Sequence, residues 1–195
     1  MLTVILAGGQ SRRMGRDKPL LDYEGETLLR RLIRRYAALG PVAVSVDRPG
    51  RYAFPDALEL PDPYPGQGPL NGLVAGFRAT GEEELFLTAA DLPLGDPALA
   101  RKLQALRLSH DACVVLGEHG PEPLFAVYGR TCLPAAEAAI AAGERSMRRL
   151  LARLDVCYVN QEALPEFPFA HVLFNVNTPE DYNLLIKETD PWQKH

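Results

Sequence analysis

The sequence contains little that would indicate a membrane protein, a disulfide framework or a zinc site. No apolar run approaches the ~20 residues that a membrane helix requires. The first apolar stretch, Leu2–Leu6, is too short for a signal-peptide core and has no basic region before it. Three widely spaced cysteines form no Cys-x-x-Cys pair, and the four histidines have no metal-ligand spacing. These absences predict a protein of the reducing cytoplasm without a membrane partner.

Acidic and basic residues are also nearly balanced in number. The 195 residues carry a formal net charge of −4, so the chain lacks the basic surplus typical of a nucleic-acid-binding protein. A few local cations would still suffice for a phosphate ligand. The length predicts a single domain over residues 1–195, large enough to need no metal or disulfide for stability.

Strand and helix patterns alternate along the chain. This alternation predicts a three-layer, Rossmann-like α/β fold, with a mostly parallel sheet covered by helices on both faces. In such sheets ligands bind beyond the carboxyl ends of the strands. The predicted strands cover residues 2–6, 42–46, 85–91, 112–116, 124–128, 156–159 and 172–176, and the predicted helices cover residues 28–39, 70–80, 97–108, 131–142, 146–153 and 179–188.

Helix-capping residues precede three of the predicted helices. Thr27, Asp96 and Thr178 each stand at the expected N-cap position. The first of these helices also carries a basic stripe opposite its apolar face, which predicts a solvated surface. That stripe consists of Arg30, Arg31, Arg34 and Arg35.

A glycine pair and four basic residues follow the first predicted strand. Glycines lack side chains, so Gly8 and Gly9 would let the backbone approach a ligand and turn with a positive φ. Successive backbone amides in such a loop bind anions. A solvated glycine-rich turn is the alternative, but the combination favours a triphosphate site. The basic residues are Arg12, Arg13, Arg16 and Lys18.

Two common phosphate-binding loops do not fit this spacing. Five residues separate Gly9 from Gly15 and Arg16 follows, so the segment is not a Walker A loop. A dinucleotide-binding loop needs Gly-x-Gly-x-x-Gly and an acid about 20 residues on, and Asp47 is too distant.

The sequence resembles a known family at this point. Leu6-Ala-Gly-Gly9, Arg13-Met-Gly15 and Asp17-Lys18 resemble the signature of nucleotidyltransferases that build nucleotide-linked cofactors and sugars, and they are most similar to the molybdenum cofactor guanylyltransferases. Further segments agree in the family's order and extend the resemblance over nearly the whole chain. They are Gly-Pro-Leu-Asn-Gly at 68–72, Ala-Asp-Leu-Pro at 90–93, Gly-Glu-Arg at 143–145 and Phe-Asn-Val-Asn-Thr-Pro at 174–179.

Asp91 lies at the end of a predicted apolar strand. A carboxylate there is well placed to hold Mg²⁺, which prefers oxygen ligands and often bridges substrate phosphates. A turn-capping role is the structural alternative. Together with the phosphate loop the metal interpretation is favoured, and the resemblance implies the same role.

Asn175 and Asn177 are two residues apart, so both side chains would point to one face of an extended segment. Paired amides could bind polar groups of a second substrate, whereas an Asx-turn before the last helix would explain Asn177 better than Asn175. The resemblance implies that both asparagines lie on the pterin side of the active site. It implies the same acceptor-binding role for Arg145.

Two further aspartates are candidates for nucleotide contact. The family has an aspartate near the position of Asp62, which could otherwise be a turn residue before Pro63. Asp47 stands where the family often has an asparagine for the base. A carboxylate there could accept hydrogen bonds from guanine N1–H and its exocyclic amine.

The resemblance implies transfer of GMP from GTP to the phosphate of molybdopterin, with Mg²⁺ as cofactor and release of pyrophosphate. The N-terminal half would bind the nucleotide and the C-terminal half the acceptor. Other cofactor-biosynthesis proteins would be transient partners. The implied catalytic residues are Lys18, Arg13 and Asp91, and the implied nucleotide-binding residues are Leu6, Ala7, Gly8, Gly9, Gly15, Lys18, Asp47, Asp62 and Asp91.

Two other functions remain open from the residues. A cytidylyltransferase acting on molybdopterin or on a small alcohol phosphate would share the same loop. A non-catalytic protein that binds the nucleotide and delivers the cofactor would share the cavity, but it would not need a metal carboxylate beside the α-phosphate.

Overall fold

A seven-stranded sheet forms the centre of the protein. The computed structural model describes residues 1–8, 17–64 and 68–187. The strands are β1 (Leu2–Leu6), β2 (Asp22–Tyr23), β3 (Glu26–Thr27), β4 (Val42–Val46), β5 (Leu58–Pro61), β6 (Glu84–Ala89), β7 (Ala112–Gly117), β8 (Gly120–Gly129) and β9 (Val156–Val159). Within the large sheet the order is β5-β4-β1-β6-β8-β7-β9, while β2 and β3 form a separate hairpin.

The large sheet is mostly parallel, as predicted. β1 pairs in parallel with β4 and β6, β4 with β5, and β7 with β9. β8 alone runs antiparallel to its neighbours β6 and β7. The carboxyl ends of β1, β4, β5 and β6 therefore meet along one edge, where a ligand is expected.

Helices cover both faces of the sheet and complete the predicted three layers. One apolar core joins one sheet face to α1, α3 and α6, and the other joins the opposite face to α2, α4 and α5. No helix among the described residues is long and apolar enough to cross a bilayer. The helices are α1 (Leu28–Tyr36), α2 (Leu70–Ala79), α3 (Pro97–Arg107), α4 (Leu133–Ala141), α5 (Met147–Leu151), α6 (Phe169–Val172) and α7 (Pro179–Lys187).

Side chains of successive strand residues alternate between the two cores. In β1, Val4 packs into the core with α2, and Ile5 packs into the core with α1. Both are fully buried. A strand covered on both faces has no polar side, and this explains the unbroken apolar run in the sequence.

The predicted strand over residues 172–176 is wrong. α6 ends at Val172, and the following residues form no strand. Val172 and Val176 are both buried, but they belong to different apolar clusters. The apolar residues in this segment reflect two buried valines in separate clusters, not one face of a strand.

Several element bounds also differ from prediction. β6 ends at Ala89, so Asp91 lies two residues beyond the strand. β8 is longer than predicted at both ends, and the first turn predicted for α4 is a 3-10 turn at Arg130–Cys132. β5 and the β2–β3 hairpin were not predicted.

The three predicted N-caps are confirmed. The Thr27 hydroxyl accepts the Arg30 N–H at 3.3 Å, and the Asp96 carboxylate accepts the Ala98 N–H at 2.7 Å. The Thr178 hydroxyl accepts the backbone N–H of Asp181 at 3.1 Å at the start of α7. Each cap satisfies an amide that the helix leaves unpaired.

The basic stripe on α1 is not a uniformly solvated surface. Arg31 is only 4% exposed and forms an ion pair with Glu24 at 3.0 Å. Its guanidinium also lies over the Tyr23 ring, 4.8 Å from the centroid. Because the β2–β3 hairpin folds over the start of α1, this arginine joins the hairpin to the helix.

Candidate functional site

A cavity of about 540 Å³ opens at the carboxyl edge of the sheet. Its walls bring together segments that are far apart in the sequence, as the predicted topology requires. The lining residues are Leu6, Ala7, Gly8, Lys18, Pro19, Ser45, Asp47, Asp62, Gly68, Pro69, Ala89, Ala90, Asp91 and Leu124. We call this space the first cavity.

The end of β1 supplies one wall of the first cavity. Ala7 continues the strand geometry, because its N–H donates to the Ser45 carbonyl at 3.0 Å. Gly8 does not adopt the positive φ predicted for it. A Cβ at Gly8 would lie 3.7 Å from Asp47 N, an ordinary contact. Packing against the residues that the structure describes therefore does not require glycine here.

Lys18 begins a short 3-10 turn and lies at the wall of the first cavity. Its Nζ donates to Oδ1 of Asn177 at 2.8 Å. The two residues are 159 positions apart. The predicted catalytic lysine and one predicted acceptor asparagine are thus in direct contact.

Asp91 lines the first cavity two residues after the end of β6 and is partly exposed. Burial raises the pKa of its carboxyl, and the nearby Lys18 charge lowers it. The Asp91 carbonyl accepts the Val176 N–H at 2.9 Å, so the backbone between Asn175 and Asn177 is fixed beside it. The structure brings Lys18, Asp91 and this asparagine segment to one place.

Asp62 and Asp47 form an acidic end of the first cavity. Asp62 accepts the Ser45 hydroxyl at 3.2 Å, and its N–H donates to the Val46 carbonyl at 2.8 Å. Burial raises the pKa of Asp62, and the charge of Asp47 raises it further. Both carboxylates are hydrogen-bond acceptors facing a confined space.

Arg51 contacts a lining residue of the first cavity, and the sequence did not indicate this contact. It pairs with Asp47 at 2.8 Å and with Asp17 at 3.1 Å. The hydroxyl of Tyr52 also donates to Asp17 at 2.8 Å. We call Asp17, Asp47, Arg51 and Tyr52 the arginine bridge. It links the strand end that carries Asp47 to the residue before Lys18.

A second cavity, of about 690 Å³, adjoins the first at the start of β8. Glu122 lines the second cavity and Leu124 lines the first. Asn175 also lines the second cavity, and its side-chain amide donates to the Leu173 carbonyl at 3.2 Å. The paired asparagines therefore face different neighbours, Asn177 toward Lys18 and Asn175 toward the second cavity.

Arg145 lines neither cavity. Its side chain is exposed, while its carbonyl oxygen lies 3.8 Å from where a Cβ on Gly68 would be. The basic residue that does line the second cavity is Arg148, whose guanidinium donates to the His119 carbonyl at 3.2 Å. Gly9, Arg12, Arg13, Gly15 and Arg16 lie outside the described residues.

Comparisons with known proteins show which family the sequence matches. Residues 3–157 match the family described as MobA-like NTP transferase domain. The chain is 36% identical over 176 residues to the molybdenum cofactor guanylyltransferase of Pseudomonas entomophila, covering 84% of this chain and 91% of that protein. It is 34% identical over 156 residues to the protein of the same name from Pseudomonas putida, covering 77% and 81%.

Solved structures show the same fold. Molybdopterin-guanine dinucleotide biosynthesis protein A from Archaeoglobus fulgidus aligns with a TM-score of 0.83 at 26% identity, covering 96% of this chain and 97% of that one. A 2-C-methyl-D-erythritol 4-phosphate cytidylyltransferase from Thermus thermophilus aligns with a TM-score of 0.68 at 14% identity, covering 96% of each chain, which shows the fold alone.

The fold and the site define a nucleotidyltransferase of the nucleotide-diphospho-sugar transferase type. Within that class, the chain belongs to the MobA-like NTP transferase family, because the family matches most of its length.

Proposed function

We propose that this protein transfers GMP from GTP to the terminal phosphate of molybdopterin, releasing pyrophosphate. The observation that carries the proposal is the meeting of Lys18, Asp91 and Asn177 at one edge of the sheet. A cation for phosphates, a carboxylate for a metal and an amide for an acceptor are the groups this reaction needs. The guanylyltransferase names of relatives 34–36% identical support the same reaction.

The nucleotide would occupy the first cavity. Guanine presents N–H donors at N1 and at its exocyclic amine, which match the acceptor-only carboxylates of Asp47 and Asp62. The triphosphate would extend toward Lys18 and the end of β1 at Gly8. In this orientation the base would lie against the acidic end of the cavity and the phosphates near Lys18.

The chemistry would depend on position and charge rather than on a protein base. An oxygen of the acceptor phosphate attacks the α-phosphorus of GTP, and the bond to the oxygen bridging α and β breaks. Pyrophosphate leaves with the electron pair. The attacking oxygen is already ionised at neutral pH, so no proton must be removed. Lys18 would hold the phosphates and stabilise charge that develops on the leaving group.

Asp91 fits a divalent cation. Burial raises the pKa of its carboxyl, and a hard cation would compensate the charge of the carboxylate. No group of three or more potential metal ligands occurs within the described ranges. Water and phosphate oxygens would therefore supply most of the coordination, as is usual for Mg²⁺. When bound, Mg²⁺ withdraws charge from the reacting phosphates.

The acceptor would approach from the C-terminal half. Asn177 contacts Lys18 and Asn175 lines the second cavity, so a molecule reaching from that cavity would bring its phosphate between Lys18 and Asp91. Arg145, exposed beside Gly68, would contribute at the rim. In this view the halves of one domain serve two substrates.

The test is a direct assay of the product. GTP labelled at the α-phosphorus is incubated with molybdopterin and Mg²⁺, and formation of a labelled dinucleotide is measured together with pyrophosphate. Lys18→Ala should lose activity, whereas Lys102→Ala, an exposed lysine on α3 outside both cavities, should retain it. Absence of any dinucleotide would overturn the proposal and favour a binding protein.

The nucleotide preference requires its own measurement. Thermal unfolding is followed with GTP, CTP or ATP, each with Mg²⁺. A larger increase in Tm with GTP is expected. A larger increase with CTP would replace the guanylyl assignment by a cytidylyl one.

A further inference from the structure

The partly buried carboxylate of Glu122 lies where the two cavities adjoin. Its Oε1 accepts the Leu124 N–H at 3.1 Å, which fixes the side chain toward the second cavity. Among the described residues no hydrogen bond to Oε2 is found. Burial raises the pKa of Glu122, the charge of Asp91 raises it further, and Arg148 lowers it. Glu122 is thus close enough to Asp91 for their charges to interact.

The second cavity is lined by both apolar and polar side chains. Phe169 and Leu173 contribute apolar surface. Its amides are largely used within the protein. The Gln161 side chain donates to the carbonyls of Leu164 and Phe167 and accepts the Phe169 N–H. The Asn160 side chain accepts the Ala163 N–H.

Among the described residues that line this cavity, Glu122 is the partly buried carboxylate, and the side-chain oxygen of Asn175 is a second partly buried acceptor. Glu118 and Glu162 also line it but are exposed. A pocket with apolar walls and one inward carboxylate suits a flat heterocycle that presents hydrogen-bond donors along one edge. Carboxylate oxygens each carry two lone pairs, so Oε1 can accept a second donor beside the Leu124 amide.

We propose that Glu122 is a specificity-determining residue that recognises the donor edge of the acceptor's pterin ring, namely ring N3–H and the 2-amino group. This inference rests on the proposed function for the identity of the acceptor. With the ring held by Glu122, the side chain of the pterin would extend past Asn175 toward Asp91 and Lys18. The carboxylate would reject heterocycles that present an acceptor at the 2-position.

Binding of two small heterocycles tests this assignment without requiring catalysis. Fluorescence titration is performed with 6-hydroxymethylpterin and with the matching lumazine, which has an oxo group in place of the 2-amino group. The wild-type protein should prefer the pterin. Glu122→Gln should weaken pterin binding about 10- to 100-fold, because an amide presents its NH₂ to a donor and leaves it unpaired. Glu122→Gln should also reduce the preference over lumazine.

Glu166→Gln is the matched control, since Glu166 is exposed and lines neither cavity. It should bind both heterocycles as the wild type does. In the transfer assay, Glu122→Gln should raise the KM for molybdopterin and leave the KM for GTP within about twofold, the pattern of lost acceptor binding. Unfolding curves with GTP establish that each variant is folded.

The outcomes separate this inference from the proposed function. Equal binding of pterin and lumazine by the wild type, or unchanged pterin binding by Glu122→Gln, overturns the role of Glu122. A normal acceptor KM in Glu122→Gln overturns it while the guanylyl transfer stands. If pterin binding depends on Glu122 but no dinucleotide forms, the recognition site stands and the proposed reaction fails.

Discussion

Replacement of Arg51 by methionine removes the centre of the arginine bridge. The Arg51 side chain is 14% exposed and pairs with Asp47, 50% exposed, and Asp17, 30% exposed. Its guanidinium also lies 5.1 Å from the centroid of the Tyr52 ring. Methionine retains most of the apolar packing but leaves two carboxylates without their shared cation. It therefore tests the charge and hydrogen bonds rather than the volume of the side chain.

The cost of this change follows from the exposure of its partners. Losing one member of a fully buried ion pair costs about 3–5 kcal/mol, whereas exposed pairs contribute about 0–1 kcal/mol. Water reaches both aspartates here, so we expect a loss of about 1–2 kcal/mol, between those two limits. For a chain of this length that corresponds to a decrease in Tm of about 2–8 °C.

Arg51→Met should also decrease the affinity for the nucleotide. Without Arg51, Asp47 and Asp17 would add uncompensated negative charge beside a cavity proposed to receive a triphosphate. Arg51 would also no longer hold Asp17, the residue before Lys18. Losing one charge-assisted contribution predicts a GTP Kd raised about 10-fold. Calorimetric titration with GTP and Mg²⁺ measures the Kd, and thermal unfolding without ligand measures the Tm.

Two further variants make this reasoning refutable. Arg48→Met removes an exposed positive charge three residues earlier, which forms no ion pair among residues 1–8, 17–64 and 68–187. It should leave both Tm and Kd nearly unchanged. Asp47→Asn should lessen the effect of Arg51→Met when combined with it, because one of the two unpaired charges is gone. Equal effects of Arg48→Met and Arg51→Met would show that only net charge matters.

Three other changes test the catalytic residues and the fold. Lys18→Ala should lower the rate of dinucleotide formation about 10²- to 10³-fold with little change in Tm, since Lys18 contacts Asn177 at the cavity rather than the core. Asp91→Asn should abolish transfer yet raise Tm at pH 7. The folded-state pKa of Asp91 is raised above 3.8, so the charged carboxylate destabilises the folded state at pH 7. The wild-type protein should recover this lost stability as pH falls through the folded-state pKa. A Tm difference between the two proteins that does not depend on pH would contradict the assignment. Gly40→Ala should lower stability by about 1–3 kcal/mol in urea unfolding, because Gly40 has a φ of +138° and its Cβ would lie 2.8 Å from the Met1 carbonyl oxygen.

Local sequence patterns predicted the elements that are determined locally. β1 and β4 were predicted at their exact bounds, because all but one residue of each is apolar and both faces of the strands are buried. The caps at Thr27 and Asp96 depend on contacts two or three residues away. Such contacts depend on neighbouring residues in the sequence, so the sequence contains the information needed to predict them.

Contacts between distant segments were not predictable in the same way. β5 is a short edge strand with a proline at its end, and only Leu60 of its residues is buried. Nothing in that pattern distinguishes it from a loop. Arg51 contacts Asp17 across 34 positions, and a sequence containing many arginines does not indicate which one closes such a bridge. The family signature located Asp17, but not Arg51, the residue that pairs with it.

The absence of the strand predicted over residues 172–176 changes how the two asparagines of this segment are placed. The backbone from Leu173 to Thr178 has partners without a sheet, since the N–H groups of Leu173 and Phe174 donate within the preceding turn and those of Asn177 and Thr178 donate to Asp181. The Val176 N–H donates to the Asp91 carbonyl.

A strand would have used these amides in a ladder and pointed both asparagines to one face. The irregular segment instead places Asn177 on Lys18 and Asn175 in the second cavity, with buried Val176 as the anchor between them. In the proposed reaction, a substrate reaching from the second cavity to Lys18 and Asp91 would need contacts at both places. The departure from regular structure would therefore allow one short motif to serve both cavities.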